Sequence, residues 1–425
     1  MANEVTSVNG IAIANITSIN GITDANLVEL NGIEFSGSTT QTEDMPYSAE
    51  MTTNQELHRL CGAWLARSGT LNKVVVSGHD DLDADSEYKL IVLTMNGTSA
   101  PSVSSTTNFP NGSDKDRNPS VDTDPNTDNE GIIAYCNDDD GDDGYAARFV
   151  VDAADESVTY GTAVEFCSND TASSRVAHDK VEAGKFLLAW KDVGDGDIYV
   201  AAGTTSGTTI TLGTKVKIID TGSSPSIAAD PNNARKYIMS WISNSSPYYM
   251  SYVVVSVDTS RVCSLGTVAT DDEGLYGDDQ STITFDHKTA NKCHTVQMDR
   301  NNSHYVTVKG MTLDGTDITL GTKEVVESNN LREGCSITSD YFIANTGIIQ
   351  SERGDGNDVR VYAWTVDGLD YTIGTKVISS TTPSSSRCAT VASPYTAGLH
   401  LAIYQEHDGS VYELAAQTHL LGGTY

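Results

Sequence analysis

The sequence predicts an all-β protein: a seven-bladed β-propeller of four-stranded antiparallel blades, preceded by a short β-rich N-terminal anchor. Three observations predict it. A Leu-Gly-Thr phrase returns at a fixed interval, a short strand ending in Asp keeps the same interval, and Gly, Ser, Thr, Asn and Asp dominate where good helix formers are sparse.

The phrase is clearest at Ile210-Thr211-Leu212-Gly213-Thr214-Lys215-Val216. Degenerate copies centre on Gly161, Gly266, Gly321 and Gly374, so the glycines step by 52, 53, 55 and 53 residues. A constant step of this size marks an array of like supersecondary units, because one such unit cannot bury its apolar face alone. The second mark is a short strand closing on Asp124, Asp179, Asp230, Asp286 and Asp340, with steps of 55, 51, 56 and 54. Ala389 to Ser393 continues it with Ser in the Asp place, and His58 to Gly62 is a poorer copy at the front, which makes seven units.

Residues 224 to 270 show the content of one unit. Pro225 to Ala229 reads as the first strand, Tyr237 to Trp241 as the second, Tyr248 to Val257 as the third and Val262 to Ala269 as the fourth. Turn-rich segments separate them, as at Asp230-Pro231-Asn232-Asn233. Four antiparallel strands per repeat describe a propeller blade, and seven blades close around a central channel.

The second strand of several units is continuously apolar, as in Val74 to Val76, Ile132 to Tyr135, Phe186 to Trp190 and Leu399 to Tyr404. Such runs belong to strands covered on both faces, here by neighbouring blades. The third strand often opens on an aromatic residue, at Tyr88, Tyr145, Tyr199, Tyr248 and Tyr305. Because the position repeats with the unit, inter-blade packing explains it better than ligand stacking does.

The seventh unit stops early, since little chain follows Val411 to Ala415 for a fourth strand. An unpaired edge is an aggregation hazard. A segment before residue 58 is therefore expected to supply the missing strand, with Gly32-Ile33-Glu34-Phe35-Ser36 as the candidate by likeness to Thr162 to Cys167.

The first forty residues carry another repeat. Asn9-Gly10-Ile11, Asn20-Gly21-Ile22 and Asn31-Gly32-Ile33 recur every 11 residues. Asn-Gly is the strongest short-range turn signal, because both residues tolerate positive φ. Three short apolar segments between tight turns have no core of their own and need a partner, either a symmetry mate or the surface of a larger assembly. The expected organisation is an anchor at 1–36, a linker at 37–57 and the propeller at 58–425.

Charge and composition exclude several classes. A net charge of −32 argues against sequence-independent nucleic-acid binding. Neither a basic-then-apolar leader nor a run of 18 apolar residues is found, so neither a secretory signal nor a membrane span is expected. The seven scattered cysteines, without a CxxC pair, read as buried free thiols.

The acidic residues gather in the turn between second and third strands, as in Asp138-Asp139-Asp140-Gly141-Asp142-Asp143 and Asp192-Val193-Gly194-Asp195-Gly196-Asp197. Alternating Asp with Gly at the bend can present several hard oxygens to Ca²⁺, which makes Asp138, Asp140, Asp142, Asp195 and Asp197 the candidate calcium ligands. None of these loops has the full twelve-residue EF-hand spacing, and hairpin turns favour Asp and Gly without any metal. No cofactor is required by any motif, and calcium is the single candidate. The expected catalytic set is empty. Gly-x-Ser-x-Gly, HExxH and phosphate-loop patterns are missing, the arginines are few and out of register between units, and carboxylates are too plentiful for any pair to be informative.

The Asn-Gly-Ile repeats followed by Thr-x-Leu-Gly-Thr-Lys-Val blades resemble virion structural proteins of tailed bacteriophages, fibre or appendage proteins with a short N-terminal anchor and a β-propeller. The resemblance spans nearly the whole chain and rests on structural turn signals. It implies a virion protein made in the host cytoplasm and held by residues 1–36 to other virion proteins. It also implies a homo-oligomer, with a trimer as the first expectation, whose propeller adheres to a host-surface glycan or protein without enzymatic activity. A decoration protein that stabilises head or tail and a propeller glycan-processing enzyme are the two alternatives. No catalytic residues, nucleic acid or membrane are implied.

Overall fold

In the computed structural model, residues 57–66, 72–80, 87–97, 99–113, 119–137, 140–243, 249–271, 282–299, 305–328, 331–353, 358–380, 388–407 and 412–421 are described, with short strands at 7–8, 11–12, 18–19, 22–23, 29–30, 33–34 and 51–52. The described residues form seven antiparallel blades of a β-propeller, with no helix long and apolar enough to cross a membrane. The innermost strands are Leu57–Trp64, Ser120–Thr123, Thr171–His178, Gly222–Ala229, Thr282–Phe285, Leu331–Ser339 and Ala389–Ala392. Each touches the next, and the last touches the first, so the ring is closed.

In blades two to six the fourth strand is broken into two pieces, for example Thr209–Leu212 and Val216–Ile219. The Leu-Gly-Thr phrase lies at the break. The glycine N–H donates to the third strand, Gly161 to the Arg148 carbonyl and Gly213 to the Ala202 carbonyl, each at 2.8 Å. A Cβ on Gly161 would lie 2.3 Å from the Thr208 carbonyl oxygen, and one on Gly213 would lie 2.2 Å from that of Arg261. The turn between third and fourth strands of the following blade thus packs on these glycines, and only hydrogen in place of Cβ leaves room. That close approach is why the phrase keeps its register.

The Asp mark has a different physical cause. Each aspartate is buried at the end of an inner strand and closes the following turn with its Oδ1. Asp286 Oδ1 accepts the N–H groups of Lys288 (2.8 Å) and Thr289 (2.6 Å), while Oδ2 accepts the Asn345 N–H of the next blade at 2.7 Å. Asp124 reaches Gly184 N at 2.6 Å, Asp340 reaches Gly398 N at 2.8 Å, and Asp179 bonds Arg235 N in the same way. One carboxylate therefore shapes a turn and ties two blades together. Ser393 is too short to do both: its Oγ accepts only Tyr395 N (3.2 Å) and Thr396 N (3.0 Å) of its own turn. At that interface Tyr395 Oη instead donates to the Leu65 carbonyl at 3.1 Å, joining the last blade to the first.

Apolar clusters lie between blades rather than within them. Trp64, Val74 and Ile91 of the first blade pack with Leu401, Ile403 and Leu414 of the last. Ile198 and Val200 of the third pack with Met239, Trp241 and Val253 of the fourth. The predicted second strands are buried, which bears out coverage on both faces. All seven cysteines are free; six are buried and Cys61 is half-buried.

The last blade is completed by an N-terminal strand, as expected, but by another segment. Met51–Thr52 pairs with Tyr412–Leu420 through Thr52↔Ala415 and Met51↔Ala416. Of the candidate at 32–36, Ile33–Glu34 is instead paired locally with Glu29–Leu30, and Gly32, Phe35 and Ser36 lie outside the described residues. The segment read as a linker thus closes the ring, because it directly precedes the first blade and reaches the open edge without a long excursion.

Candidate functional site

The predicted calcium residues lie in the turns that join second to third strands. Asp138 lies outside the described residues. Asp140 accepts the Tyr145 hydroxyl at 2.5 Å, and Asp142 donates its backbone N–H to the Asn137 carbonyl at 3.0 Å. Asp195 Oδ2 accepts the Tyr199 hydroxyl at 2.7 Å, and its Oδ1 accepts Asp197 N at 2.8 Å. Asp197 Oδ1 accepts Thr221 N at 3.2 Å, and its Oδ2 lies 3.2 Å from Lys217 Nζ. Desolvation would raise the Asp197 pKa, but the Thr221 N–H and Lys217 outweigh it and hold the carboxyl below its usual value. Among the described residues the structure does not bring three acidic, Cys or His side chains together around a cation position.

What these turns do assemble is a tyrosine–carboxylate pair, repeated on adjacent blades. Tyr145 and Tyr199 are half-buried, each with one partner ring alongside: Tyr135 for Tyr145 (centroids 6.2 Å apart, 27° between planes) and Trp190 for Tyr199 (5.9 Å, 23°). The hydrogen bonds to Asp140 and Asp195, helped by desolvation, push both tyrosine pKa values up to about 12, so the hydroxyls stay protonated. Its recurrence from unit to unit predicts inter-blade packing for this aromatic position. Tyr88 behaves that way, fully buried against Phe109 and Tyr135. Tyr145 and Tyr199 depart from it at the polar end. The signal in the sequence was an Asp four or five residues before the Tyr, which only blades two and three combine in the described turns. Tyr248 lies outside the described residues, and Tyr305 is half-buried.

The axial channel holds a cavity of about 440 Å³ lined by inner strands and the turns after them. Lys180 Nζ pairs with Asp122 at 3.1 Å, and His287 stacks on Tyr341 with centroids 3.7 Å apart and 14° between planes. Burial, with Lys180 nearby, pushes the His287 pKa down to about 3, so its ring is neutral at neutral pH. Asp122 is the one carboxylate among the described lining residues, and Lys180 occupies it.

At the N-terminus, Val8 pairs with Ile11, Ile19 with Ile22, and Leu30 with Ile33. Each pair flanks an Asn-Gly in sequence: Asn9-Gly10, Asn20-Gly21 and Asn31-Gly32. Three two-residue hairpins follow from that spacing. The turn residues themselves lie outside the described residues.

No protein-family model matches the chain, and no curated protein matches its sequence. Solved structures do match in fold. The BP39L lectin from Burkholderia pseudomallei superposes with a TM-score of 0.64 over 87% of this chain and 98% of its own, at 12% identity. Sqt1 from Chaetomium thermophilum gives 0.51 over 82% and 80%, at 11% identity. At such identities the likeness is one of fold.

Proposed function

We propose that this protein is a bacteriophage virion component, a fibre or appendage held by residues 1–36 and using its propeller as a non-catalytic adhesin for host-surface glycans. The observation that carries the binding reading is the repeated Tyr145–Asp140 and Tyr199–Asp195 pair on one rim. The Tyr145 ring offers an apolar face to the C–H side of a sugar, the Tyr199 ring does so once the Lys215 ammonium 4.6 Å above it moves aside, and the adjacent carboxylate accepts sugar hydroxyls. Two such sites on neighbouring blades, multiplied by subunits and by copies per particle, turn weak contacts into firm attachment. A lectin with the same fold is consistent with this use of the scaffold, and the rim's negative charge favours uncharged or amino sugars over acidic ones. That Asp122 is the one carboxylate among the described lining residues, and is paired with Lys180, favours binding over the alternative of a glycan-processing enzyme.

The anchor reading rests on hairpins that recur every 11 residues, each of two-residue strands and too short to be stable alone. It makes residues 1–36 the contact with other virion proteins and the place where copies join, as a trimer in the simplest case. A glycan array with the full chain tests adhesion. Binding lost in the Tyr145→Ala/Tyr199→Ala double variant at unchanged Tm supports it, and unaltered binding would reject the rim. Incorporation of a chain lacking residues 1–36 into particles would reject the anchor. Particle stability that depends on the protein, without any glycan binding, would favour a decoration role instead.

A further inference from the structure

In the described residues the propeller repeat fixes not only residue types but also two recurring backbone positions of positive φ. The first ends the turn between inner and second strands: Asn129, Gly184, Asn291, Asn345 and Gly398 occupy it, with φ between 57° and 73°. The second lies in the turn between third and fourth strands, where Gly207, Gly315 and Gly368 sit at 58° to 63°. Glycine and asparagine are the residues that accept this conformation most readily. Blade four places arginine at both: Arg235 at 57° and Arg261 at 67°. The only other exception among these positions is Glu156 in blade two. The Asp179 bond to the Arg235 backbone N–H asks nothing of the side chain, so the fold does not call for arginine there.

Both arginines line one cavity of about 140 Å³ between blades three and four, with Glu182, Lys185, Asp258 and Thr204. This is room for roughly ten waters at ~10–15 Å³ each. Arg235 Nη2 is paired with Glu182 at 3.1 Å, and Asp258 Oδ1 is taken up by the N–H groups of Ser260 and Val262, each at 2.8 Å. Arg261 and Lys185 have no carboxylate partner among the described residues, and Arg261 Nε is buried without a hydrogen-bond acceptor. Three cations against two anions leave the pocket at +1 in a chain whose net charge is −32. A guanidinium and an ammonium side by side without carboxylate partners repel each other, and a bound oxyanion would relieve that repulsion.

We propose that this pocket binds an oxyanion, the carboxylate of an acidic sugar or a phosphate, through Arg261 with Lys185 and Arg235 beside it. The site is separate from the Tyr–Asp rim and opposite to it in charge preference. Carboxylate or phosphate would pair with the Arg261 guanidinium and screen Lys185, while Glu182 keeps Arg235 in place.

Titration calorimetry of the full chain with D-glucuronate, methyl glucoside and inorganic phosphate tests this, together with Arg261→Gly and Arg235→Asn, which install the residues other blades use. Glucuronate is expected to bind, more weakly as salt is raised, with affinity falling at least tenfold in Arg261→Gly while Tm stays the same or rises. A retained signal in the Tyr145→Ala/Tyr199→Ala variant separates the pocket from the rim. Phosphate binding as tightly as glucuronate assigns the ligand to free or esterified phosphate as well, whereas glucuronate alone assigns it to an acidic sugar. Equal binding of methyl glucoside, no binding of either anion, unchanged affinity in both arginine variants, or a marked fall in Tm of Arg261→Gly would overturn the proposal.

Discussion

Asp340 accepts the backbone N–H of Gly398 at 2.8 Å across the boundary between blades six and seven, and with its other oxygen holds Phe342 N and Ile343 N at 2.7 and 2.8 Å. Burial alone would raise its pKa; the neighbouring His400 and these N–H groups hold it below the usual value. Removing this carboxylate orphans three donors at once. Asp340→Ala is expected to cost at least about 3 kcal/mol, at ~1–3 kcal/mol for each buried unsatisfied group. Asp340→Ser should lose less, about half as much, because Ser393 shows that a hydroxyl can still close the local turn. Chemical denaturation measures both, and equal losses would contradict a separate inter-blade bond.

Gly213→Ala should destabilise by about 1–3 kcal/mol, since the new methyl group meets backbone of the next blade rather than a movable side chain. Thr214→Ala, one residue on at an exposed position, should stay within about 0.5 kcal/mol. Thermal melts of the two variants give the comparison.

Truncation separates the anchor from the closing strand. A chain beginning at residue 37 should melt as the full protein does, because the strand completing blade seven is Met51–Thr52. A chain beginning at residue 57 should melt lower and aggregate through the exposed edge of Tyr412–Leu420. Light scattering during a thermal ramp reads both effects.

Acid should destabilise the ring before the carboxylates titrate. Burial lowers the pKa of His178, His287, His294 and His419, with His287 and His419 pushed to about 3. The unfolded chain takes up these protons near pH 6.5 and the folded chain does not. Stability is therefore full above about pH 6.5 and falls as pH drops, by up to ~1.4 kcal/mol per pH unit for each such histidine until its folded pKa is reached. Asp286 and Asp340, whose folded values are depressed, add losses in the same direction at lower pH. A flat stability profile from pH 7 to 5 would contradict the burial of these rings.

Calcium tests the acidic turns. With Asp197 facing Lys217 and Asp195 accepting the Tyr199 hydroxyl, millimolar Ca²⁺ is expected to leave Tm unchanged. A rise of several degrees would instead assign these turns to the metal.

The sequence by itself determined the number of blades, their register and the need for a closing strand, because a repeated unit writes its turn and close-packing demands at the same place each time. Gly213 and Asp286 were legible for that reason: their chemistry is local, and any copy lacking it would pack badly. What only the tertiary structure decided depends on which residues different blades bring together. Met51–Thr52 closes the ring rather than 32–36, since reach to the open edge is set by three-dimensional distance and not by likeness of sequence. The acidic turns, alike in composition, were resolved into Tyr–Asp and Lys–Asp pairs by their neighbours. Arg235 and Arg261 are 26 residues apart and unremarkable in the chain; they share a pocket because each stands at a positive-φ turn on the same face of one blade boundary.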